Sequence, residues 1–198
     1  GAMWSEADIE ALYQSFEQTM REVVAEYSQP IPGVPEAVSQ LRDMGIKIGS
    51  TTGYTSEIMQ YVLPVAEQGG YSPDCVITPD ITRHSRPSPF MVFDCMRQMN
   101  VYPASHVVKV GDTVMDMLEG KNAGAWTVGV LTGSNLVGLS LEEYTNAPKE
   151  EIDARKEKAK NAYRKAGTDV ILDTMAELPD AIRALNSRLA AREEANAR

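Results

Sequence analysis

The chain has 198 residues, 28 acidic and 19 basic, for a net charge of −9; 43% of residues are hydrophobic and 24% charged. That composition excludes a disordered chain, allows one domain with a sizeable core, and argues against non-specific binding to nucleic acid or anionic membrane. No apolar run approaches the roughly 18 residues of a bilayer span. Two cysteines, Cys75 and Cys95, make no disulfide framework and suit a reducing cytoplasm.

Gly1-Ala2-Met3 has the look of a protease-cleavage remnant and is set aside. Trp4 to Tyr27 then reads as one amphipathic helix, because Ile9, Leu12, Phe16, Met20, Val23 and Tyr27 recur at three- and four-residue steps. Ser5 with Asp8 forms its capped start. Pro30-Ile31-Pro32-Gly33 breaks that helix and marks a hinge.

Beyond the hinge, helices and short strands alternate. Val34–Met44 reads as helix, Ile46–Ser50 as strand, Thr55–Gln68 as helix and Cys75–Ile77 as strand. Pro89–Met99 follows as helix, His106–Val110 as strand, Thr113–Asn122 as helix and Trp126–Leu131 as strand. Residues 141–166 read as a charged helix, Val170–Leu172 as a last strand and Met175–Leu189 as a last helix, with a polar, fraying tail from Ala190. This order predicts an α/β fold, a parallel sheet with helices on both faces. Ligand sites in such sheets lie at the carboxyl ends of the strands.

Three strand ends carry candidate chemistry. Gly111-Asp112-Thr113-Val114-Met115-Asp116 places two carboxylates four residues apart at a helix start, which suits a magnesium ion or simply a capped helix. Gly49-Ser50-Thr51-Thr52-Gly53-Tyr54 offers hydroxyls and backbone N–H groups that can cradle a phosphate, although Thr55 or Ser56 as an N-cap explains it equally well. Arg86-Pro87 sets a permanent cation, able to bind phosphate with two parallel hydrogen bonds, in a loop before a helix; an ordinary exposed arginine is the plainer reading.

Taken in order, Thr-Gly, Arg-Pro and Gly-Asp-x-x-x-Asp resemble the second, third and fourth motifs of the haloacid dehalogenase superfamily. Ile46–Thr55 (IKIGSTTGYT), Arg86-Pro87 and Lys109–Val130 (KVGDTVMDMLEGKNAGAWTVGV) resemble the phosphonoacetaldehyde hydrolase (phosphonatase) family in particular. The resemblance runs from about Ser5 to about Leu178. It implies magnesium-dependent hydrolysis of the carbon–phosphorus bond of phosphonoacetaldehyde to acetaldehyde and phosphate. It makes Asp112 a magnesium ligand, Asp116 a support of the metal site, Thr52 a hydrogen-bond donor to the phosphoryl group and Arg86 its stabilising cation. Gly53 and Tyr54 line the same loop.

The departures are as informative. The family's nucleophile is an aspartate in an Asp-x-[Asp or Ala]-Gly-Thr motif on a central strand, and no such motif occurs here. The family's cap lysine, which forms a Schiff base with the aldehyde, also has no counterpart: no lysine precedes Lys47. The resemblance therefore implies that residues 4–29 are the last helix of a cap domain, 30–189 a core lacking its first strand, and 190–198 a flexible tail. The absent strand would lie between the strand ending at Ser50 and the strand ending at Val110. Either the sheet closes up, another copy fills the gap by swapping, or a further segment belongs there. The uncovered stripe of Trp4–Tyr27 predicts a homodimer or swapped oligomer. The first functional expectation is the C-terminal part of a phosphonatase, inactive as this chain alone. A naturally shortened, catalytically dead binding protein is the second, and a different phosphatase of the superfamily the third.

Overall fold

The structure, a computed structural model, describes residues 4–196. The first helix, α1 (Glu6–Val23), starts in the expected capping box: the Asp8 N–H donates to Ser5 Oγ and the Ser5 N–H to the Asp8 carboxylate. The chain then tightens into a 3₁₀ turn over Val24–Tyr27, so the expected single helix ends one turn early. Val24 is the buried anchor of this segment, whereas Ile9, Leu12, Phe16 and Tyr27 stay exposed. Gly33, at φ +88°, supplies the left-handed turn that starts α2 (Val34–Asp43) with a proline in its first turn.

The core follows as β1 (Gly49–Thr51), α3 (Ser56–Gln68), β2 (Cys75–Ile77), α4 (Pro79–Thr82), α5 (Phe90–Met99), β3 (Val108–Gly111), α6 (Val114–Ala123) and β4 (Trp126–Val130). It ends with α7 (Leu141–Asn146), α8 (Lys149–Lys165), β5 (Val170–Leu172) and α9 (Leu178–Asn196). β3 begins at Val108 rather than His106, which lies in a 3₁₀ turn over Ala104–His106, and three further differences from the sequence reading have a local reason. β1 begins at Gly49 rather than Ile46, because the Ile48 N–H is taken by the Asp74 carboxylate at 2.7 Å. The charged helix over 141–166 is two helices, since Pro148 removes a donor and its ring disfavours helix at Ala147. α9 continues past Leu189, its last turns held by Arg192 stacked 4.7 Å from the Trp126 ring and by Glu193 at 2.9 Å from His106.

All pairings are parallel, and they form two sheets rather than one. β1 pairs with β2, Ser50 opposite Val76. β4 pairs with β3 on one side and β5 on the other, Val128 facing Val110 and Val170. Helices cover both faces. On one face, Leu41 of α2 and Leu178, Ile182 and Leu185 of α9 pack on Val128 and Leu172. On the other, Met91 and Cys95 of α5 pack on Ile77, and Met117 of α6 with Tyr163 of α8 packs on Leu131. Two-sided burial explains why the strands read as short apolar runs instead of alternating ones. The sheet has not closed up between β1 and β3. Among the described residues no backbone hydrogen bond joins them, and a cleft of about 770 Å³ runs between the two halves.

Candidate active site

The carboxyl ends of β1 and β3 carry the site. β1 delivers Thr51 and leads into Thr52-Gly53-Tyr54, where the Tyr54 N–H donates to Thr52 Oγ1 at 3.1 Å. The Thr52 O–H remains a donor with no other acceptor among the described residues. Thr55 caps α3, as one of the two expected readings had it. A Cβ at Gly53 would lie 2.8 Å from Arg86 Nη2, so any side chain there would displace the guanidinium tip. The Arg86 guanidinium thus reaches from the loop before α5 and lies against the Thr52-Gly53 turn.

Arg86 is fixed by Asp116, Nη1 donating to Oδ1 at 2.7 Å. Asp116 sits in the first turn of α6, buried to 4% exposure, and its other oxygen accepts from the Thr113 N–H and hydroxyl in a capping box. Lys109 Nζ, from inside β3, lies 3.2 Å from Asp116 and 2.8 Å from Glu119. It also donates to Thr51 Oγ1 at 2.6 Å, and that hydroxyl donates to Glu119 Oε2 at 2.9 Å. Two cations therefore face two acids in a half-dry cluster. Burial opposes the charge on Asp116, yet Lys109, the Thr113 hydroxyl and Arg86 outweigh it and hold the carboxyl below its ordinary range.

Arg86, Gly53, Thr52 and Asp116 were legible in the sequence, and the structure brings Arg86 to Gly53 and to Asp116. Asp112 follows β3 and is half-buried, one carboxylate oxygen accepting from the Asn135 N–H at 3.1 Å. The two aspartates do not share one role. Asp116 has both oxygens committed to Arg86, Lys109 and Thr113, whereas among the described residues Asp112 has one oxygen without a hydrogen-bond partner. Asp116 is the carboxylate that caps α6, the plainer of the two readings of this pair. Tyr54 is exposed, and His84 packs against the Phe90 ring with centroids 4.9 Å apart. Sequence reasoning missed Lys109 and Glu119. The signal was present in part: a lysine amid Val107-Val108 and Val110 is a cation in an otherwise apolar strand, and such a group needs a buried partner.

The parallel α/β sheet with helices on both faces is the fold of a hydrolase class, as comparison with known proteins shows. A family model described as haloacid dehalogenase-like hydrolase matches residues 2–124. A phosphonoacetaldehyde hydrolase of Parabacteroides distasonis is 43% identical over 185 residues, covering 93% of this chain and 70% of that protein. One from Bacillus cytotoxicus is 44% identical over 182 residues, covering 92% and 69%. Among solved structures, a phosphonoacetaldehyde hydrolase-like protein from Oleispira antarctica superposes with a TM-score of 0.92 at 34% identity, covering 96% of this chain and 69% of that one. The chain belongs to the phosphonoacetaldehyde hydrolase family.

Proposed function

We propose that these residues form the phosphate-holding half of a magnesium-dependent carbon–phosphorus hydrolase acting on phosphonoacetaldehyde, and that this chain alone binds the phosphate group without turning substrate over. The observation that carries the reading is the convergence of Arg86, the Thr52-Gly53 turn and Asp116 near the carboxyl ends of β1 and β3. Arg86 presents a fork of N–H donors to phosphoryl oxygens, and Asp116 keeps that fork aimed. The Thr52 hydroxyl donates from the facing side. Catalysis of phosphoryl transfer is mostly such positioning and charge stabilisation. Asp112, with its free oxygen, would hold magnesium, which needs only one or two carboxylates beside waters and phosphate and which, when bound, neutralises phosphoryl charge. Tyr54 borders the entrance. In this reading residues 4–29 belong to a cap and 30–189 to the core, and the working compartment is the cytoplasm.

Nothing in these 198 residues matches the aspartate motif that attacks phosphorus in the family. Incubation with phosphonoacetaldehyde and magnesium is therefore expected to release no acetaldehyde above the uncatalysed rate. Inorganic phosphate should still bind, measured by calorimetry, and its magnesium-dependent component should vanish in Asp112→Ala. Enzymatic release of acetaldehyde, or phosphate binding indifferent to magnesium and to Asp112, overturns the proposal.

The exposed stripe of α1 supports a symmetric dimer. Leu12 and Phe16 are 68% and 53% exposed, with Ile9 beside them, an apolar row that a second copy of the same helix would cover. Light scattering after size exclusion should give a dimer for the parent and a monomer for the Leu12→Glu/Phe16→Glu variant. A monomeric parent sinks this part of the reading.

A further inference from the structure

Three sulfur-bearing side chains gather at the amino end of β1, the end opposite Thr52, and we infer that Cys75, Cys95 and Met99 form a binding site for a soft monovalent cation, copper(I). The inference goes beyond phosphate chemistry and does not depend on it.

Gly49 is the centre of the cluster. Its partner in the parallel ladder is Cys75 of β2, while Cys95 and Met99 share one face of α5, four residues apart. A Cβ at Gly49 would lie 3.4 Å from Cys75 Sγ, 3.2 Å from Cys95 Sγ and 2.8 Å from the Met99 methyl. The absence of a side chain is thus what lets these three groups share one small space, and a larger residue would push them apart. Both cysteines are free thiols. Cys95 is buried, its thiol reaching the Ser50 carbonyl at only a long 3.8 Å. Cys75 is half-buried, which gives an ion a way in from solvent.

The donor set selects the ion. Thiolate and thioether sulfurs are soft, polarisable donors that favour copper(I) over hard cations. Structural zinc sites close with four cysteine or histidine donors, and among the described residues no three His, Cys, Asp or Glu side chains gather as a metal-holding group. Magnesium takes oxygen donors and so stays with carboxylates such as Asp112. Ile77 and Met91 pack around the sulfurs, and burial pushes both thiols above their ordinary range, so each meets the ion as a neutral S–H. Loading therefore breaks two S–H bonds, forms two copper–sulfur bonds and gives two protons to solvent, with copper(I) unchanged in oxidation state. Met99 adds a third, weaker sulfur. The groups facing the thiols are Tyr71, Asp74 and Asp94, with Lys109 and Glu119 on the Cys95 side. Lys109 offsets the single negative charge that two thiolates and one copper(I) carry together, and the acids oppose it.

The test titrates the full chain, under argon, against copper(I) held by bicinchoninate, a competing chelator whose colour reports the ion it gives up. One equivalent should transfer, and X-ray absorption at the copper edge should show sulfur neighbours alone. Affinity should rise about a hundredfold per pH unit near neutrality, because two protons leave for each ion bound. Cys75→Ser and Cys95→Ala should each weaken binding at least about a hundredfold, and Met99→Leu and Gly49→Ala about tenfold. Gly49→Ala keeps every sulfur and fills only the space between them. Cys75 is half-buried, so Cys75→Ser holds the fold and decides the matter if Cys95→Ala does not fold. Phosphate affinity of Cys75→Ser should equal the parent's, which keeps this reading separate from the phosphonatase one. Equal copper affinity in the urea-unfolded chain marks ordinary thiol capture and overturns the inference. Unchanged affinity in Cys75→Ser or Gly49→Ala, or displacement of the copper by equimolar zinc, overturns it as well.

Discussion

Lys109→Met should be the most damaging single substitution in the site, destabilising the fold by about 3–5 kcal/mol. Lys109 has 10% of its side chain exposed and faces Asp116 and Glu119, which are 5% and 0% exposed. Its loss leaves Asp116 with Arg86 and Thr113, but leaves Glu119 with the Thr51 hydroxyl alone among the described residues. Glu119 has no slack to absorb this, since its Oε1 is already buried without a hydrogen bond. A buried charge stripped of its counter-ion keeps the whole cost of leaving water. At about 2–4 °C per kcal/mol for a chain of this size, the melting temperature should fall by about 10 °C. The double variant Lys109→Met/Glu119→Leu removes both charges of the pair and should recover most of the loss, because apolar replacements of a buried ion pair are often neutral. Thermal and urea melts of the parent, both single variants and the double variant give the coupling. A Lys109→Met protein within about 0.5 kcal/mol of the parent contradicts the arrangement.

This cluster also marks the limit of what the sequence could reveal. The alternation of helix and strand and the capped helix start at Ser5 are local matters, fixed by residues within a few positions of one another. They were legible for that reason. Asp112 and Asp116 were legible as a motif, with separate roles implied by the resemblance, but the partners of each were not. Those are Arg86, thirty positions from Asp116 in sequence, and Asn135, from the loop after β4, for Asp112. Spacing alone places both carboxylates at one helix start; only the fold shows that two cations consume one of them. The split of the sheet followed from resemblance rather than from pattern, since a missing strand leaves no trace in the periodicity of those that remain. Boundaries moved where a side chain intervened, as Asp74 does at Ile48.

Arg86→Ala should separate binding from folding, the reverse of the lysine substitution. Asp116 would keep Lys109 and both bonds from Thr113, so no buried acid is abandoned and the stability loss should be smaller than for Lys109→Met. The anion site, however, would lose its only forked donor among the residues assigned to it. A hydrogen bond to a charged group is worth about 1.5–3 kcal/mol, which corresponds to a loss in phosphate affinity of about ten- to a hundredfold. Arg86→Lys keeps the charge but not the planar fork that reaches Asp116 and the Gly53 turn together, so its affinity should fall between the two. Calorimetric titration of inorganic phosphate in the presence of magnesium, beside a melt of each variant, reads both quantities. Unchanged phosphate affinity in Arg86→Ala would remove the guanidinium from the site and leave it a structural partner of Asp116 alone. A graded loss from arginine to lysine to alanine, with melting temperatures that do not follow the same order, places it on the anion.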